Sequence, residues 1–266
     1  MKSRTSWQPV AKWYNKLVSD KGHYYHQHVV IPGVLRLLSL DKSSRLLDVA
    51  CGQGILGRSV PKGVSYTGFD IAGSLIAEAK RLDHDPNHTY IVGDATQALP
   101  LGDVKFTHAA MILALQNIED GDAVITNISK YLLPSGKFVI VLNHPAFRIP
   151  RQSSWGIDEG NKLQYRRVNI YMSPLKIPID MHPGKRRWSP ARPQTPERSD
   201  GGRVTWSFHQ PISYYAGILA KYGFVIDAME EWTSDKESEG KASKMENRSR
   251  SEFPLFLAIG AIKLPV

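Results

Sequence analysis

The most chemically informative stretch of the chain places an aspartate just before two glycines. Asp48 stands four residues before Gly52, and a single glutamine separates Gly52 from Gly54. Glycines after a strand let the backbone approach a ligand closely, and a helix beginning there presents free N–H groups to it. Gly52–Gly57 alone matches the dinucleotide pattern G-x-G-x-x-G, but a carboxylate at Asp48 would repel a pyrophosphate. The stretch therefore favours a cationic or amino-bearing ligand.

Strands and helices that alternate along the chain must position this turn. Apolar segments predict five strands, at residues 45–49, 65–70, 89–92, 106–113 and 137–142. Helices are predicted at residues 73–81 and 122–132, in a short segment from the glycine turn to Val60, and twice between residues 10 and 39. This alternation predicts an α/β fold in which a parallel sheet is covered by helices on both faces.

The stretch Leu46–Gly54 resembles motif I of class I S-adenosylmethionine-dependent methyltransferases, whose core reads Leu-Asp-x-Gly-Cys-Gly-x-Gly. The resemblance covers residues 7–142 and resumes at residues 209–263. One departure is Ala50, where the family commonly has glycine, and alanine is tolerated there unless its φ is positive. The resemblance implies a small-molecule methyltransferase that uses S-adenosyl-L-methionine. It also implies a Rossmann-like sheet of seven strands in the order 3-2-1-4-5-7-6.

The same resemblance implies a role for an acid at each of three successive strand ends. Asp70 closes the second strand as the acid for the ribose hydroxyls, and Asp94 follows the third strand as the acid of the adenine site. Each aspartate alone also fits a helix cap or a turn, whereas the three together with the glycine turn favour a ligand site. The implied cofactor contacts are Asp48, Ala50, Cys51, Gly52, Gly54, Asp70, Ile71, Asp94 and Ala95.

The C-terminal region is predicted to complete the sheet within a single domain. A helix is predicted at residues 211–222 and strands at residues 204–208, 223–229 and 253–262, with a polar stretch at 233–252. The last two strands suit the antiparallel hairpin of the family. The expected parts are a helical cover (1–40), a cofactor-binding core (41–142), a proline-rich cover for the substrate (143–203) and the C-terminal part (204–266).

Two histidines are candidates for a general base. Methyl transfer from a sulfonium needs mainly alignment of the reactants, so a base is optional. His144 follows the fifth strand and His209 precedes the late helix, and histidine suits this role near neutral pH. Either could equally be an ordinary hydrogen-bonded residue. His26 and His28 lie in the N-terminal region that covers the cofactor in related methyltransferases.

Several other chemistries find no support in the sequence. No metal site is predicted, because Glu119, Asp120 and Asp122 suit the N-terminus of a helix. The single cysteine, Cys51, lies in the glycine turn and fits a structural role. No apolar run reaches the roughly 20 residues that span a membrane. With no disulfide pair and no leader-like segment, the expected location is the cytoplasm.

Positive charge is concentrated in the predicted cover. The chain has a formal net charge of +9, and residues 143–203 hold twelve Lys and Arg against five Asp and Glu, a net +7. Arginines alternate with aromatic residues there, and the run Lys185–Arg187 is basic throughout. Such a surface suits an anionic, partly apolar small molecule. RNA as the substrate is the alternative, and a third reading is a cofactor-binding scaffold without catalysis.

Overall fold

A computed structural model describes residues 22–180 and 204–265, and its centre is a seven-stranded mixed sheet. The strands of this sheet are β1 (Arg45–Val49), β2 (Ser65–Asp70), β3 (His88–Val92), β4 (Phe106–Ile112), β5 (Leu132–Asn143), β10 (Phe224–Trp232) and β11 (Phe256–Lys263). Their spatial order is β3-β2-β1-β4-β5-β11-β10. β1 to β5 pair in parallel, and β11 is antiparallel to both of its neighbours. The predicted order 3-2-1-4-5-7-6 is therefore confirmed.

Helices cover both faces of this sheet. They are α1 (Ile31–Leu38), α2 (Gly73–Leu82), α3 (Gly121–Tyr131), α4 (Ile212–Lys221) and α5 (Ser243–Glu252). Neighbouring residues of β1 point to opposite faces, so Leu46 packs with α1 and α2 while Leu47 packs with α3 and α4. Both leucines are fully buried. A strand buried on both faces needs the continuous apolar run seen here.

Two antiparallel hairpins follow β5, and we call the described residues between β5 and α4, which are 144–180 and 204–211, the cover. The first pairs β6 (Ser153–Asp158) with β7 (Leu163–Val168), and the second pairs β8 (Leu175–Asp180) with β9 (Val204–His209). The sequence also predicts an extended conformation for residues 163–172, of which residues 163–168 form β7, and the strand predicted at 204–208 is present as β9. β6 and β8 were not predicted, because polar residues and prolines dilute their apolar pattern. The run Lys185–Arg187 lies outside the described residues.

The structure corrects two local predictions. The short helix expected after the glycine turn is only a 3₁₀ turn, Gly57–Ser59, since Pro61 follows it closely. The stretch predicted as merely polar contains α5, which has no apolar stripe and buries only Ser249. The Ser249 hydroxyl donates to the Gln164 carbonyl of β7, at 3.2 Å, so α5 is held by the cover.

The N-terminal region begins with helical turns before α1. A π-helical segment, His26–Val30, leads directly into α1, and Pro32 occupies the first turn of α1, where its missing N–H costs little. The helix expected between residues 10 and 17 lies outside the described residues. Within the described ranges, no helix is both long and apolar enough to cross a membrane.

Candidate functional site

The Asp70 carboxylate joins the end of β2 to the glycine turn. Its Oδ2 accepts the Gly52 N–H at 3.0 Å, and its Oδ1 accepts the Ala72 N–H at 2.8 Å. Burial raises the pKa of Asp70, and the two backbone hydrogen bonds oppose that rise. Because a carboxylate has about four acceptor positions, both oxygens keep capacity for ligand hydroxyls. Ile71, another predicted contact, lies between Asp70 and Ala72 in the sequence.

The glycine turn requires backbone conformations that favour glycine. Gly52 and Gly54 have φ values of +57° and +74°. A Cβ on Gly54 would stand 2.6 Å from the Tyr90 hydroxyl oxygen, so the turn lies directly on the side chains of β3. Ala50 has φ of +56°, and it thus adopts the left-handed conformation in which a Cβ is strained. Glycine would fit this position better than the alanine that the sequence has there.

Asp48 is buried beneath the turn. Its Oδ2 accepts the Tyr66 hydroxyl at 2.6 Å, and only 2% of the residue is exposed. Burial raises the pKa of Asp48 to about 7, with the Tyr66 hydrogen bond lowering it and the charge of Asp70 raising it further. Burial also raises the pKa of the neighbouring Cys51 thiol, which keeps the thiol protonated and unreactive. Asp48 therefore places negative charge below the turn rather than at its surface.

The loop after β3 is organised by Asp94 and held from a helix. The Asp94 Oδ1 accepts the N–H and the hydroxyl of Thr96, at 2.9 and 2.8 Å. Asn127 of α3 donates from Nδ2 to the carbonyls of Ala95 and Gln97, both at 2.9 Å. Asn127 was missed by the sequence analysis, although a polar residue inside an apolar helical stripe is a signal that could have found it.

The two candidate bases differ in what their rings contact. The His144 Nδ1 accepts the N–H groups of Ala146 and Phe147, and its Nε2 donates to Glu231 at 2.7 Å. With both nitrogens engaged and 1% of the residue exposed, His144 orders the chain after β5, and its geometry does not favour a role as a base. The His209 Nε2 lies 2.7 Å from the Tyr171 carbonyl oxygen.

Other predicted residues occupy structural positions. Asp120 caps α3 by accepting the Ala123 N–H at 3.0 Å, as the sequence suggested for this acidic group. Burial lowers the pKa of His26 to about 4. Gly22, four residues earlier, packs against the Ile55 side chain, so the N-terminal region touches the glycine turn. In residues 22–180 and 204–265, no three His, Cys, Asp or Glu side chains are grouped to hold a metal ion.

Comparison with known proteins agrees with this arrangement. Residues 47–140 match the family model described as a methyltransferase domain. Over these residues the chain is similar to methyltransferase domains. Among curated relatives, a demethylmenaquinone methyltransferase from Staphylococcus saprophyticus is 26% identical over 110 residues, which cover 40% of this chain and 47% of the relative. The chain thus aligns with about half the length of the curated relatives it matches.

Solved structures resemble this methyltransferase domain over a longer range. An S-adenosylmethionine-dependent methyltransferase from Mesorhizobium loti has a TM-score of 0.64 and 22% identity, covering 87% of this chain and 96% of its own. A second such protein, from Listeria monocytogenes, has a TM-score of 0.64 and 23% identity, covering 88% and 98%. At these identities the likeness establishes the fold, which includes the sheet order described above.

We call the glycine turn and the loops after β2 and β3 the cofactor edge. A cavity opens at the same end of the sheet. It is a small cavity of about 30 Å³ that is open to solvent on one side, and it lies between the end of β5, the 3₁₀ turn Leu115–Asn117, β9 and α4. The residues that line it are Gln116, Asn143, Pro145, Arg148, Pro150, Ser207, Phe208, His209 and Tyr215. His209 therefore faces a cavity on the same edge of the sheet as Asp70, whereas His144 does not line it. Arg148 is one of the arginines in the segment predicted to cover the substrate, and Gln116 lies in the loop after β4.

Proposed function

We propose that this protein is an S-adenosylmethionine-dependent methyltransferase that acts on a small-molecule acceptor. The observation that carries the proposal is the junction at Asp70, whose carboxylate binds Gly52 of the glycine turn and Ala72 at the start of α2. This junction holds a carboxylate and a positive-φ glycine together at the end of β2. Ligands of open α/β sheets bind at this edge, beyond the carboxyl ends of the strands.

The residues at this edge fit the cofactor. Each Asp70 oxygen retains acceptor capacity for a ribose hydroxyl, and Gly52 and Gly54 carry no side chains of their own at the turn. The Ala95 loop, fixed by Asn127, offers backbone groups to an adenine. When bound, S-adenosylmethionine supplies an electrophilic methyl group on a positively charged sulfur. The buried carboxyl of Asp48 favours a cation near the turn once Asp48 is ionised.

The cover supports an acceptor with negative charge. Arg148 lines the cavity, and Arg166 donates to the Phe147 carbonyl and the Ser153 hydroxyl, at 2.8 Å each. Burial lowers the pKa of both guanidinium groups, and the charge of Arg148 lowers that of Arg166 further. Neither group forms an ion pair with a carboxylate in the described ranges. An anionic acceptor would supply the missing negative charge.

The chain's own contribution to catalysis is alignment and exclusion of water. Holding an acceptor against a fixed cofactor makes transfer effectively unimolecular, and this accounts for much of the rate in such reactions. Phe208 and Tyr215 form apolar walls beside the cavity. His209 is placed to accept a proton from a bound acceptor near neutral pH, because burial lowers its pKa and favours the neutral ring.

Titration of S-adenosylmethionine into the purified chain tests the cofactor assignment. Asp70→Ala removes the acceptor of two backbone hydrogen bonds and of the ribose, so we expect about 100-fold weaker binding by calorimetry. Asp70→Asn keeps one oxygen acceptor and should lose less. Asp103→Ala, at an exposed aspartate, is the matched control and should bind like the parent chain. Absence of binding by the parent, or equal binding by Asp70→Ala and the parent, would refute the proposal.

RNA as the acceptor is the second candidate, favoured by the basic cover. Arg151 and Arg167 are exposed there, as is Tyr165, and exposed arginines beside an aromatic ring suit phosphates and a stacked base. This candidate predicts RNA binding whose affinity falls steeply with salt. Incubating the chain with methyl-labelled cofactor and a cell extract, with and without ribonuclease, separates the two candidates. Label that survives ribonuclease in the small-molecule fraction supports the first.

A further inference from the structure

Gln116 brings an unpartnered oxygen to the cavity. Its Nε2 donates to the Leu113 carbonyl at 2.9 Å, and a carbonyl can only accept, so the two ends of the amide are assigned unambiguously. The Gln116 Oε1 is buried and has no hydrogen-bond partner among residues 22–180 and 204–265, and only 8% of the residue is exposed. A buried acceptor without a donor is unfavourable, and native structures rarely keep one without a function. A ligand with a hydroxyl or N–H would satisfy it.

His209 presents a second acceptor to the same cavity. Since the Tyr171 carbonyl can only accept, the His209 Nε2 must carry the proton of the neutral ring. Its Nδ1 then has a lone pair, and no residue of the described chain donates to it. Burial lowers the pKa of His209, which favours this neutral form. Gln116 and His209 therefore require the same kind of partner, which is a hydrogen-bond donor.

Arg148 contributes the opposite requirement. Its side chain is accessible from the cavity, yet the surrounding protein lowers the pKa of its guanidinium. The charge of Arg148 lowers the pKa of the nearby Arg166 guanidinium, so this neighbour carries the same sign and does not neutralise Arg148. The Tyr25 side chain opposes the lowering of the Arg148 pKa. The remaining walls include Pro145, Pro150 and Phe208, which offer apolar contact. The cavity thus combines one cation, two neutral acceptors and apolar walls.

We infer that this cavity binds a hydroxylated carboxylate, with the carboxylate on Arg148 and the hydroxyl donating to Gln116 or His209. A planar guanidinium matches a carboxylate with two parallel hydrogen bonds, and the apolar part of the ligand would contact Pro145, Pro150 and Phe208 at the open side of the cavity. This inference rests on the proposed function for its biological meaning, because the bound hydroxy acid would be the methyl acceptor. The binding itself is independent of the cofactor.

Four simple compounds separate the two requirements. Calorimetry of the full chain without cofactor would compare 3- and 4-hydroxybenzoate with benzoate, which lacks the donor, and with phenol, which lacks the anion. We expect at least one hydroxybenzoate to bind about fivefold or more tighter than benzoate and about tenfold or more tighter than phenol. Equal affinity of benzoate and both hydroxybenzoates would overturn the assignment of Gln116 and His209 as acceptors for the ligand.

Two variants assign these requirements to residues. Arg148→Met should weaken the hydroxybenzoate about tenfold or more and leave phenol unchanged, whereas the exposed Arg151→Met is the matched control and should change neither. Gln116→Met should remove part of the preference over benzoate without unfolding the chain, since the Leu113 carbonyl still accepts from Asn117 at 3.1 Å. Equal losses for Arg148→Met and Arg151→Met would refute the cavity as the anion site.

The outcome is distinguishable from a failure of the proposed function. If hydroxybenzoate binds as expected but S-adenosylmethionine does not bind, the cavity assignment stands and the methyltransferase proposal fails. If the cofactor binds and no hydroxybenzoate shows the expected preference, the cavity assignment fails and the methyltransferase proposal stands.

Discussion

The cofactor edge and the cover face the same end of the sheet but are built by different kinds of contact. At the edge, the acids bind groups at most 18 residues away, as in Asp70 with Ala72 and with Gly52. Around the cavity, partners lie farther apart in sequence. The Ser207 hydroxyl is 3.4 Å from the Gln116 carbonyl oxygen, 91 residues away, and His209 contacts Tyr171, 38 residues away.

This difference shows which half of a site a local motif can specify. The edge is acidic, with buried carboxyls whose pKa values are raised, and its turn needs glycine-like φ angles. The cover is basic, and its Arg166 donates to neutral oxygens rather than to carboxylates. We therefore expect substitutions at the edge to alter stability and cofactor binding together, and substitutions in the cover to leave cofactor binding unchanged.

The largest expected effect concerns the charge buried beneath the edge. The pKa of Asp48 is raised to about 7, against about 4 in an unfolded chain. The folded state thus binds the proton more tightly, and Asp48 makes stability fall as pH rises from about 4 to about 7 and stay level above that. Between pH 5 and pH 8, Asp48→Asn should gain about 3 kcal/mol of unfolding free energy relative to the parent.

Urea unfolding of the parent and of Asp48→Asn at several pH values measures this difference. The amide oxygen introduced by this substitution would still accept the Tyr66 hydroxyl, so the packing is retained. Asp103→Asn, at an exposed position, should follow the pH dependence of the parent. If the curves of Asp48→Asn and the parent are parallel, Asp48 is ionised at its ordinary pKa and the edge is not electrostatically distinct.

A pair of glycine substitutions tests the need for positive φ at the edge. Gly54→Ala would place a Cβ 2.6 Å from the Tyr90 hydroxyl oxygen at a φ of +74°, and we expect a loss of about 2 kcal/mol. Gly217→Ala is the matched control, because Gly217 lies in α4 with open space around it and should gain up to about 1 kcal/mol. Urea unfolding of both variants gives the comparison, and a similar loss in both would contradict it.

A substitution in the cover should affect stability without affecting the edge. The Tyr171 hydroxyl oxygen accepts the Ile212 N–H of α4 at 3.0 Å, and Tyr171→Phe removes that hydrogen bond for a loss of about 1 kcal/mol. The Tyr171 carbonyl, which His209 contacts, is retained. Calorimetry should give parent-like affinity for S-adenosylmethionine. A weaker affinity would mean that the cover and the edge are coupled.

The smallest expected effect is a gain at Ala50. Ala50→Gly relieves the strain of a φ of +56°, while the added freedom of glycine in the unfolded chain offsets part of that gain. We expect an increase of about 0.5 kcal/mol in unfolding free energy, measured by thermal unfolding. The exposed Ser39, with a φ of +51°, provides a control in Ser39→Gly. A loss of stability in Ala50→Gly alone would show that the alanine side chain contributes packing that the φ strain does not outweigh.

The sequence by itself determined the α/β alternation, the sheet order through its family resemblance, and the acids at the ends of β1, β2 and β3. It could do so because the alternation of apolar segments and the glycine turn are local patterns, each formed by a few neighbouring residues. The resemblance marks Ala50 as a departure from a common glycine, and the structure gives this alanine a φ of +56°.

Only the tertiary structure decided the acceptor side. The sequence treated His144 and His209 alike, and the fold separated them by engaging both nitrogens of His144 and bringing His209 to a cavity. It also paired β6 with β7 and joined Gln116 to Arg148 in one cavity wall. These contacts connect residues tens of positions apart, so their energies depend on packing of the whole chain, which no local pattern of residue types records.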